Sequence, residues 1–313
     1  MKLTLSTSPH IRGNFRINRI MLDVIIALIP ALVVGTVVLG IRALLVTAVS
    51  VVSAVGFEAL WCLITRKKQT VTDGSAAVTG LLLALTLPAS VPLWQVVVGS
   101  FFAIIVIKAL FGGLGQNVFN PALAARAFMM LIFPVGITRY PGLDGVTSAT
   151  PLHQMVMPAT PDESILDMFL GKCPGSIGEI SALALLLGGA YLCIRRVISP
   201  RIPLAYIGTL AVLSLVFYKT DNALIWSAYS VLSGGLMLGA IFMATDYVTS
   251  PVTPYGQILY GIGCGALTLI FRYFGLFPEG VTYAILLMNL TVWIIDRYTG
   301  FARFGTKKGG KKQ

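Results

Sequence analysis

Apolar residues in this chain come in long runs separated by short polar stretches. Ten such runs can be marked, at 20–40, 43–65, 74–89, 92–112, 121–138, 178–194, 203–218, 223–245, 257–275 and 280–296. A helix of ~17–25 apolar residues crosses the roughly 30 Å of hydrocarbon in a bilayer, where the backbone must satisfy its own hydrogen bonds. The pattern therefore predicts an all-α integral membrane protein of about ten transmembrane helices, a single polytopic membrane domain over 1–313. The third run is short and ends at Pro88.

The polar stretches give the orientation. If both termini lie on one side, that side carries Lys2, Arg12, Arg16, Arg19, Arg66, Lys67, Lys68, Arg195, Arg196, Arg201 and the basic tail of 297–313. The other side has Arg42, Arg139, Lys172 and Lys219. Basic residues collect on the cytoplasmic side of membrane proteins, so both termini are expected there and the long loop 139–177 outside. That loop is acidic, with Asp144, Asp162, Glu163 and Asp167. Residues 1–19 are polar and basic without an apolar core, so the run from Ile20 is expected to act as an uncleaved span.

Composition narrows the class further. Only 11% of residues are charged and the mean hydropathy is +0.86, too little charge for a water-exposed surface. The net charge of +11 could suggest nucleic acid, but the basic residues sit in short clusters between apolar spans rather than in a basic-aromatic stripe. Cys62, Cys173, Cys193 and Cys264 form no CxxC pair and have no histidine at ligand spacing, so they read as small apolar fillers. No metal held by this chain alone is expected.

The chain also looks duplicated. Thr72-Asp73-Gly74-Ser75 beside a glycine-containing span parallels Thr245-Asp246 beside the span holding Ser233-Gly234-Gly235. Each is followed by a span with a cation near its end, Lys108 and Arg272. Pseudo-repeats over about 20–138 and 178–296 would hold five spans each. An odd number makes the halves inverted, which places sites at the repeat interface near mid-membrane.

Three segments and several charges could carry chemistry. Asp144-Gly145-Val146-Thr147-Ser148-Ala149-Thr150-Pro151-Leu152 is rich in turn formers. It also offers a hydroxyl flanked by small residues on an exposed loop, able to accept a phosphoryl-linked group from another enzyme. Gly112-Gly113-Leu114-Gly115-Gln116-Asn117-Val118-Phe119-Asn120-Pro121 lacks the lysine ending of a phosphate loop. It reads as a re-entrant turn in which Asn117 and Asn120 satisfy irregular backbone facing a cavity. Ala244-Thr245-Asp246-Tyr247 supplies Asp246, a turn former or a contact to a cation or flavin ring.

Among intramembrane charges, Asp23 is expected to pair with Arg19 one turn away, and Lys108 and Arg272 to snorkel from helix ends. Glu58, well inside the second span, is the candidate for an ion path, because burying a carboxylate in lipid is costly. Arg126 could steady an anionic group. Glu279 is expected to cap the last span's N-terminus and to border a pocket shared with Thr150.

Taken together, the Asp144–Leu152, Gly113–Ala122 and Thr245–Pro251 segments, with Glu279-Gly280-Val281-Thr282-Tyr283-Ala284-Ile285-Leu286-Leu287-Met288-Asn289 and Ser8-Pro9-His10, resemble RnfD, the D-type membrane component of the bacterial Rnf complex. They resemble NqrB, a component of the sodium-pumping NADH:quinone oxidoreductase, more distantly. The resemblance runs nearly end to end. It implies a fold of two inverted five-helix repeats similar to urea transporters. It also implies FMN held by a phosphoester on the threonine closing a Ser-Gly-Ala-Thr type motif. Here Thr147, Ser148, Ala149 and Thr150 match, so Thr150 would carry the FMN; Ser148 stands where glycine is commoner. A separate flavin transferase would read Asp144. A second, non-covalent flavin, riboflavin, is implied as well, with the Gly112–Asn120 turn and Asp246 as the places to look.

The resemblance implies an electron-relay subunit in the bacterial inner membrane. It would work with the Rnf components RnfA, RnfB, RnfC, RnfE and RnfG to pass electrons between ferredoxin and NAD and to move Na+ or H+ outward. It would be part of a translocase rather than catalytic alone. The alternative from the residues is a secondary transporter or channel of inverted-repeat type without a redox cofactor, or a structural anchor for partner subunits.

Overall fold

The structure, a computed structural model, describes residues 17–66, 69–140, 150–155, 161, 163–220, 222–275 and 279–300. Asp144, Thr147, Ser148 and Ala149 lie outside the described residues, as do Ser8-Pro9-His10 and the basic tail. Among the described residues all regular structure is helical.

Each apolar run holds a helix. They are α1 (Ile17–Leu39), α2 (Ile41–Ile64), α3 (Ser75–Leu85), α4 (Leu93–Phe101, continuing as a π-helix over Phe102–Ala109) and α5 (Pro121–Ile132). Three short helices follow, α6 (Pro134–Ile137), α7 (Pro151–Gln154) and α8 (Ile165–Leu170). Then come α9 (Ala182–Ile194), α10 (Arg201–Val216), α11 (Ala223–Leu232), α12 (Leu236–Leu238, π-helical over Gly239–Met243), α13 (Pro254–Phe274) and α14 (Gly280–Thr299).

Among the described residues, α1, α2 and α13 are long and apolar enough to cross a membrane. The α11–α12 pair, bent by 62° at its break, makes a fourth if taken as one span. α3, α5 and α9 are shorter than their apolar runs because those runs include apolar turn residues. α5 stops at Phe133, before Pro134, since a residue ahead of proline is pushed out of the helical region. Gly74, at φ 79, opens α3 in a conformation that disfavours other residues.

Two helices end inside the protein. At the end of α3, Ile177 N–H donates to Leu87 O (3.0 Å) and Gly178 N–H to Leu85 O (2.8 Å). At the end of the α12 π-segment, Asn120 Nδ2 donates to Met243 O (3.3 Å). In each case backbone carbonyls that lipid could not satisfy are met from the other half of the chain.

Similar contacts occur among the helices before α6 and those after α8. α2 packs on α3 and α4, and α10 on α11 and α13; α4 leads to α5 and α13 to α14. α1 meets α9 and α5 meets α14 across the halves. Small residues allow close approach. A Cβ at Gly261 would come within 2.7 Å of Ala205 Cβ, and one at Gly265 within 2.8 Å of Thr209 Cβ, so α13 lies directly on α10. Leu28, Leu83, Leu85, Met129, Ile177, Tyr206 and Tyr260 fill the centre.

Three expectations about charges change. Asp23 pairs not with Arg19 but with α9, accepting from Tyr191 Oη (2.9 Å) and Arg195 Nη2 (3.3 Å). Its face of α1 is the one that packs on α9. Lys108 and Arg272 do not snorkel; both turn inward onto helix ends, because those ends hold unsatisfied polar groups within reach.

Candidate functional site

Thr150 caps α7. Its Oγ1 accepts from His153 N–H (3.3 Å), and Pro151 at the first helical position has the fixed φ that a helix start uses. Thr150 is only 7% exposed, so the expectation of an open loop hydroxyl does not hold for this state. α7 buries it by packing on the break between α11 and α12. A Cβ on Gly234 would come within 2.7 Å of Leu152 Cδ2, and Ser233 Oγ lies 3.6 Å from Met155 Sδ. Gly234, at φ 66, makes this turn possible.

Arg272 holds the broken ends. Its Nη1 donates to Ser230 O and its Nη2 to Ser233 O (2.9 Å), which are carbonyls at the C-terminus of α11, where positive charge is favoured. Its buried Nε has no hydrogen-bond partner among the described residues. Leu152, Met155, Trp226, Ser230, Arg272 and Tyr273 line a small cavity of about 20 Å³ beside α7. Trp226 Nε1 donates to Tyr273 Oη (2.9 Å), fixing two aromatic rings in its wall.

On the other side of the same break lies a second charged group. Arg126, 3% exposed, donates from Nη2 to Glu279, which also accepts from Tyr140 Oη. Glu279 stands at the N-cap position of α14 without a capping side-chain bond, so the expected cap is replaced by this buried ion pair. Arg126 and Glu179 both reach the break: a Cβ at Gly235 would be in ordinary contact with them, 3.7 Å from Arg126 Nη1 and 3.5 Å from Glu179 Oε2. Sequence reasoning missed Glu179. Its signal was an acid at the head of the apolar run that follows Pro174-Gly175. The break at Gly234–Gly235 thus has Arg272 on one side and Arg126 on the other. Glu279 does not line the Trp226–Arg272 cavity; it acts on Arg126 instead.

The opposite end of the bundle holds Glu58. Lys108 Nζ donates to Glu58 Oε1 (2.9 Å) and to Ser75 Oγ (2.6 Å) at the start of α3. Thr70 Oγ1 donates to the same Glu58 oxygen (2.9 Å), while Asp73 Oδ1 accepts from Ser75 N–H (2.8 Å) and Oγ (2.6 Å). Glu58 Oε2 is buried without a partner among the described residues. Lys108, 4% exposed, is a wall between two cavities. One, of about 340 Å³, includes Glu58, Thr70, Asp73, Gly112 and Gly113. The other, a narrower cleft of about 90 Å³, includes Asn117, Asn120, Thr245, Asp246 and Phe242. The residues that the sequence reading grouped around the glycine-rich turn and Asp246 therefore do meet.

In that cleft Asn120 caps α5, its Oδ1 accepting from Ala122 N–H (3.1 Å) and Leu123 N–H (3.3 Å). Asn117 Nδ2 donates to Phe119 O (2.9 Å), and Asp246 Oδ2 accepts from Thr249 Oγ1 (3.2 Å). Asn289 lies behind them. With its amide oxygen toward Asn120 N–H (3.2 Å), its nitrogen reaches Thr249 O (3.2 Å), tying α14 to both turns. Positive φ at Gly112, Gly113 and Gly115 shapes the turn that leads in.

Broken helices ended inside the protein, buried ion pairs and polar cavities in an otherwise apolar helical bundle define an integral membrane protein with internal polar sites. The chain belongs to the NQR2, RnfD, RnfE family, whose model matches residues 4–305. Its relatives include the D component of the Na(+)-translocating ferredoxin:NAD(+) oxidoreductase complex of Acetobacterium woodii, to which it is 48% identical over 98% of this chain and 97% of the relative. It is 42% identical to the D component of the proton-translocating ferredoxin:NAD(+) oxidoreductase complex of Clostridium ljungdahlii, over 97% of each. The D component of the ion-translocating oxidoreductase complex of Escherichia coli O7:K1 is 33% identical over 99% of this chain and the whole of the relative. Each relative is named as one subunit of an oxidoreductase complex.

Proposed function

We propose that this chain is the flavin-bearing electron-relay subunit of an ion-translocating ferredoxin:NAD+ oxidoreductase complex, working with RnfA, RnfB, RnfC, RnfE and RnfG. The observation that carries the reading is α7: the Thr150 that matches the family's flavin-bearing threonine heads a helix seated on a helix break, beside a cavity walled by aromatic rings and a guanidinium.

The residues present suit FMN in kind, although the cavity of about 20 Å³ is smaller than a flavin ring. Arg272 has a buried Nε without a partner among the described residues, suited to a phosphate oxygen or a flavin carbonyl. Trp226 and Tyr273 offer ring faces and edges to an aromatic group. A flavin tethered there supplies electron-carrying chemistry, while the chain sets its position and electrostatics. Thr150 would hold the phosphoester, Arg272 steadies the break that α7 rests on, and Arg126, neutralised by Glu279, packs against its far side. Because Thr150 is buried, the transferase acts before α7 docks, reading Asp144 and the Thr147-Ser148-Ala149 stretch.

Riboflavin is assigned to the cleft lined by Asn117, Asn120, Thr245 and Asp246, whose polar groups match the donors and acceptors of an isoalloxazine edge. Glu58 and Lys108 are assigned to the ion path, where a Na+ or H+ would meet the unpaired Glu58 Oε2 while Lys108 holds Oε1. The two halves act as inverted five-helix repeats, supported by their matched packing and by helix ends met reciprocally from the other half. Thr150 faces the outside and both termini the cytoplasm of a bacterial inner membrane, following the basic residues. The relatives at 48% and 42% identity are named for different ions, so similarity does not choose between Na+ and H+.

The test uses the assembled complex. Thr150→Ala should lose covalent flavin and ferredoxin-driven NAD+ reduction while the subunits still co-purify. Asn120→Asp, which keeps the helix-capping acceptor and loses the amide donor, should lower acid-extractable riboflavin and leave the covalent flavin in place. Full electron transfer and ion uptake by the Thr150→Ala complex would sink the relay reading and favour a flavin-free transport role.

A further inference from the structure

A cleft of about 300 Å³ opens at the end of the bundle where α1 begins and α9 ends. It is lined by Arg19, Asp23, Arg195, Arg196, Val197 and Tyr247. Three guanidiniums face one carboxylate. Asp23 is committed to Arg195 and Tyr191; no carboxylate among the described residues forms an ion pair with Arg19 or Arg196. The cleft therefore keeps about two uncompensated positive charges.

Arg196 adds a second observation. It sits just past the end of α9 at φ 57, the left-handed conformation that glycine usually supplies at this place. An L-residue there costs roughly 1–2 kcal/mol, and the side chain that stands there is a cation lining a basic cleft.

The surface beside the cleft is apolar. Leu22, Ile26, Ile29, Val33 and Val37 form an exposed stripe at helical spacing down α1, and Arg19 stands at its head, one turn above Leu22. Ile194, 80% exposed, flanks the cleft on α9. A cluster of cations above a long apolar stripe matches a molecule with an anionic head and hydrocarbon chains.

We propose that this cleft binds the phosphate headgroup of an anionic phospholipid from the cytoplasmic leaflet, with an acyl chain along the α1 stripe. Arg19 and Arg196 take the phosphate, and Arg195, held by Asp23, shapes the floor. Because α1 and α9 belong to different halves of the chain, the lipid clamps the seam between them. The inference rests on the chain spanning a membrane and on its orientation, and is independent of the flavin assignment.

The experiment uses the full chain in nanodiscs of phosphatidylcholine with or without phosphatidylglycerol, reading thermal unfolding and the phosphatidylglycerol retained in native mass spectrometry. Wild type should be stabilised by phosphatidylglycerol and retain it, and inorganic phosphate added to detergent-solubilised protein should not substitute. The Arg19→Gln/Arg196→Gly variant should lose both effects, with binding about five-fold weaker per arginine. Glycine relieves the backbone at 196, so this loss cannot be assigned to a broken turn. Arg297→Gln, a basic residue outside the cleft, should bind as wild type does. Equal stabilisation by the two lipids, equal protection by inorganic phosphate, unchanged binding in the double variant, or equal loss in Arg297→Gln would each overturn the proposal.

Discussion

Lys108 and Glu58 show how a residue's role depends on what the fold brings to it. The sequence marked Glu58 as a costly intramembrane acid and Lys108 as a cation at a helix end, 50 residues apart. Folding makes them a buried ion pair joined to the start of α3 through Ser75. Removing one member leaves the other charge without compensation in a low-dielectric interior. Glu58→Gln or Lys108→Met alone should destabilise by ~3–5 kcal/mol, and the double variant should recover most of that loss. Thermal unfolding in detergent checks this; additive losses would mean that the pair is not coupled. Full coupled ion transport by Glu58→Gln would remove Glu58 from the ion path. The sequence did not reveal the pairing of Asp23 with α9 or the Arg126–Glu279 pair, since each joins residues more than 150 positions apart.

At the scale of elements, the positions of the helices were readable and their lengths were not. Hydropathy marks where apolar chain begins and ends, but it does not distinguish one long helix from a helix followed by an apolar turn such as Leu87-Pro88-Ala89 or by a separate short helix such as Pro134–Ile137. The α11–α12 break was foreshadowed by Ser233-Gly234-Gly235. What fixes α10 against α13 is the pair Gly261 and Gly265, four residues apart, where even a methyl group would collide with α10. Gly265→Leu should cost about 1–3 kcal/mol or more through overpacking and lower the yield of folded protein. Gly208→Ala, in the same packed pair but with nothing within 4 Å of its Cβ, should be neutral or stabilise by up to ~1 kcal/mol through helix propensity. Unfolding temperatures of the two variants, side by side, check the contact; equal effects would contradict it.

At the scale of the molecule, the fold gathers polar chemistry into two places. One is the break near Thr150, with Arg272 and Arg126 on either side. The other is the pair of cavities that share Lys108. The resemblance across several motifs pointed to Thr150, but Trp226 and Tyr273 beside it carry no local pattern, Glu179 shows only as an acid heading an apolar run, and these residues come together only through helix packing. The orientation expected from the basic residues can be tested by labelling. In a cysteine-free background, a cysteine placed at Lys172 should react with a membrane-impermeant maleimide added outside intact cells, and one placed at Arg201 should not. The reverse labelling would turn the molecule over and put Thr150 on the wrong side for an outward-facing flavin.

That Thr150 carries flavin can be tested directly. The chain is co-expressed with its flavin transferase, run on a denaturing gel beside the Thr150→Ala variant, and viewed for in-gel flavin fluorescence. A fluorescent wild-type band and a dark variant band of equal protein are expected. A dark wild-type band, with the transferase shown active on a known acceptor, would contradict the assignment, as would a variant that remains fluorescent.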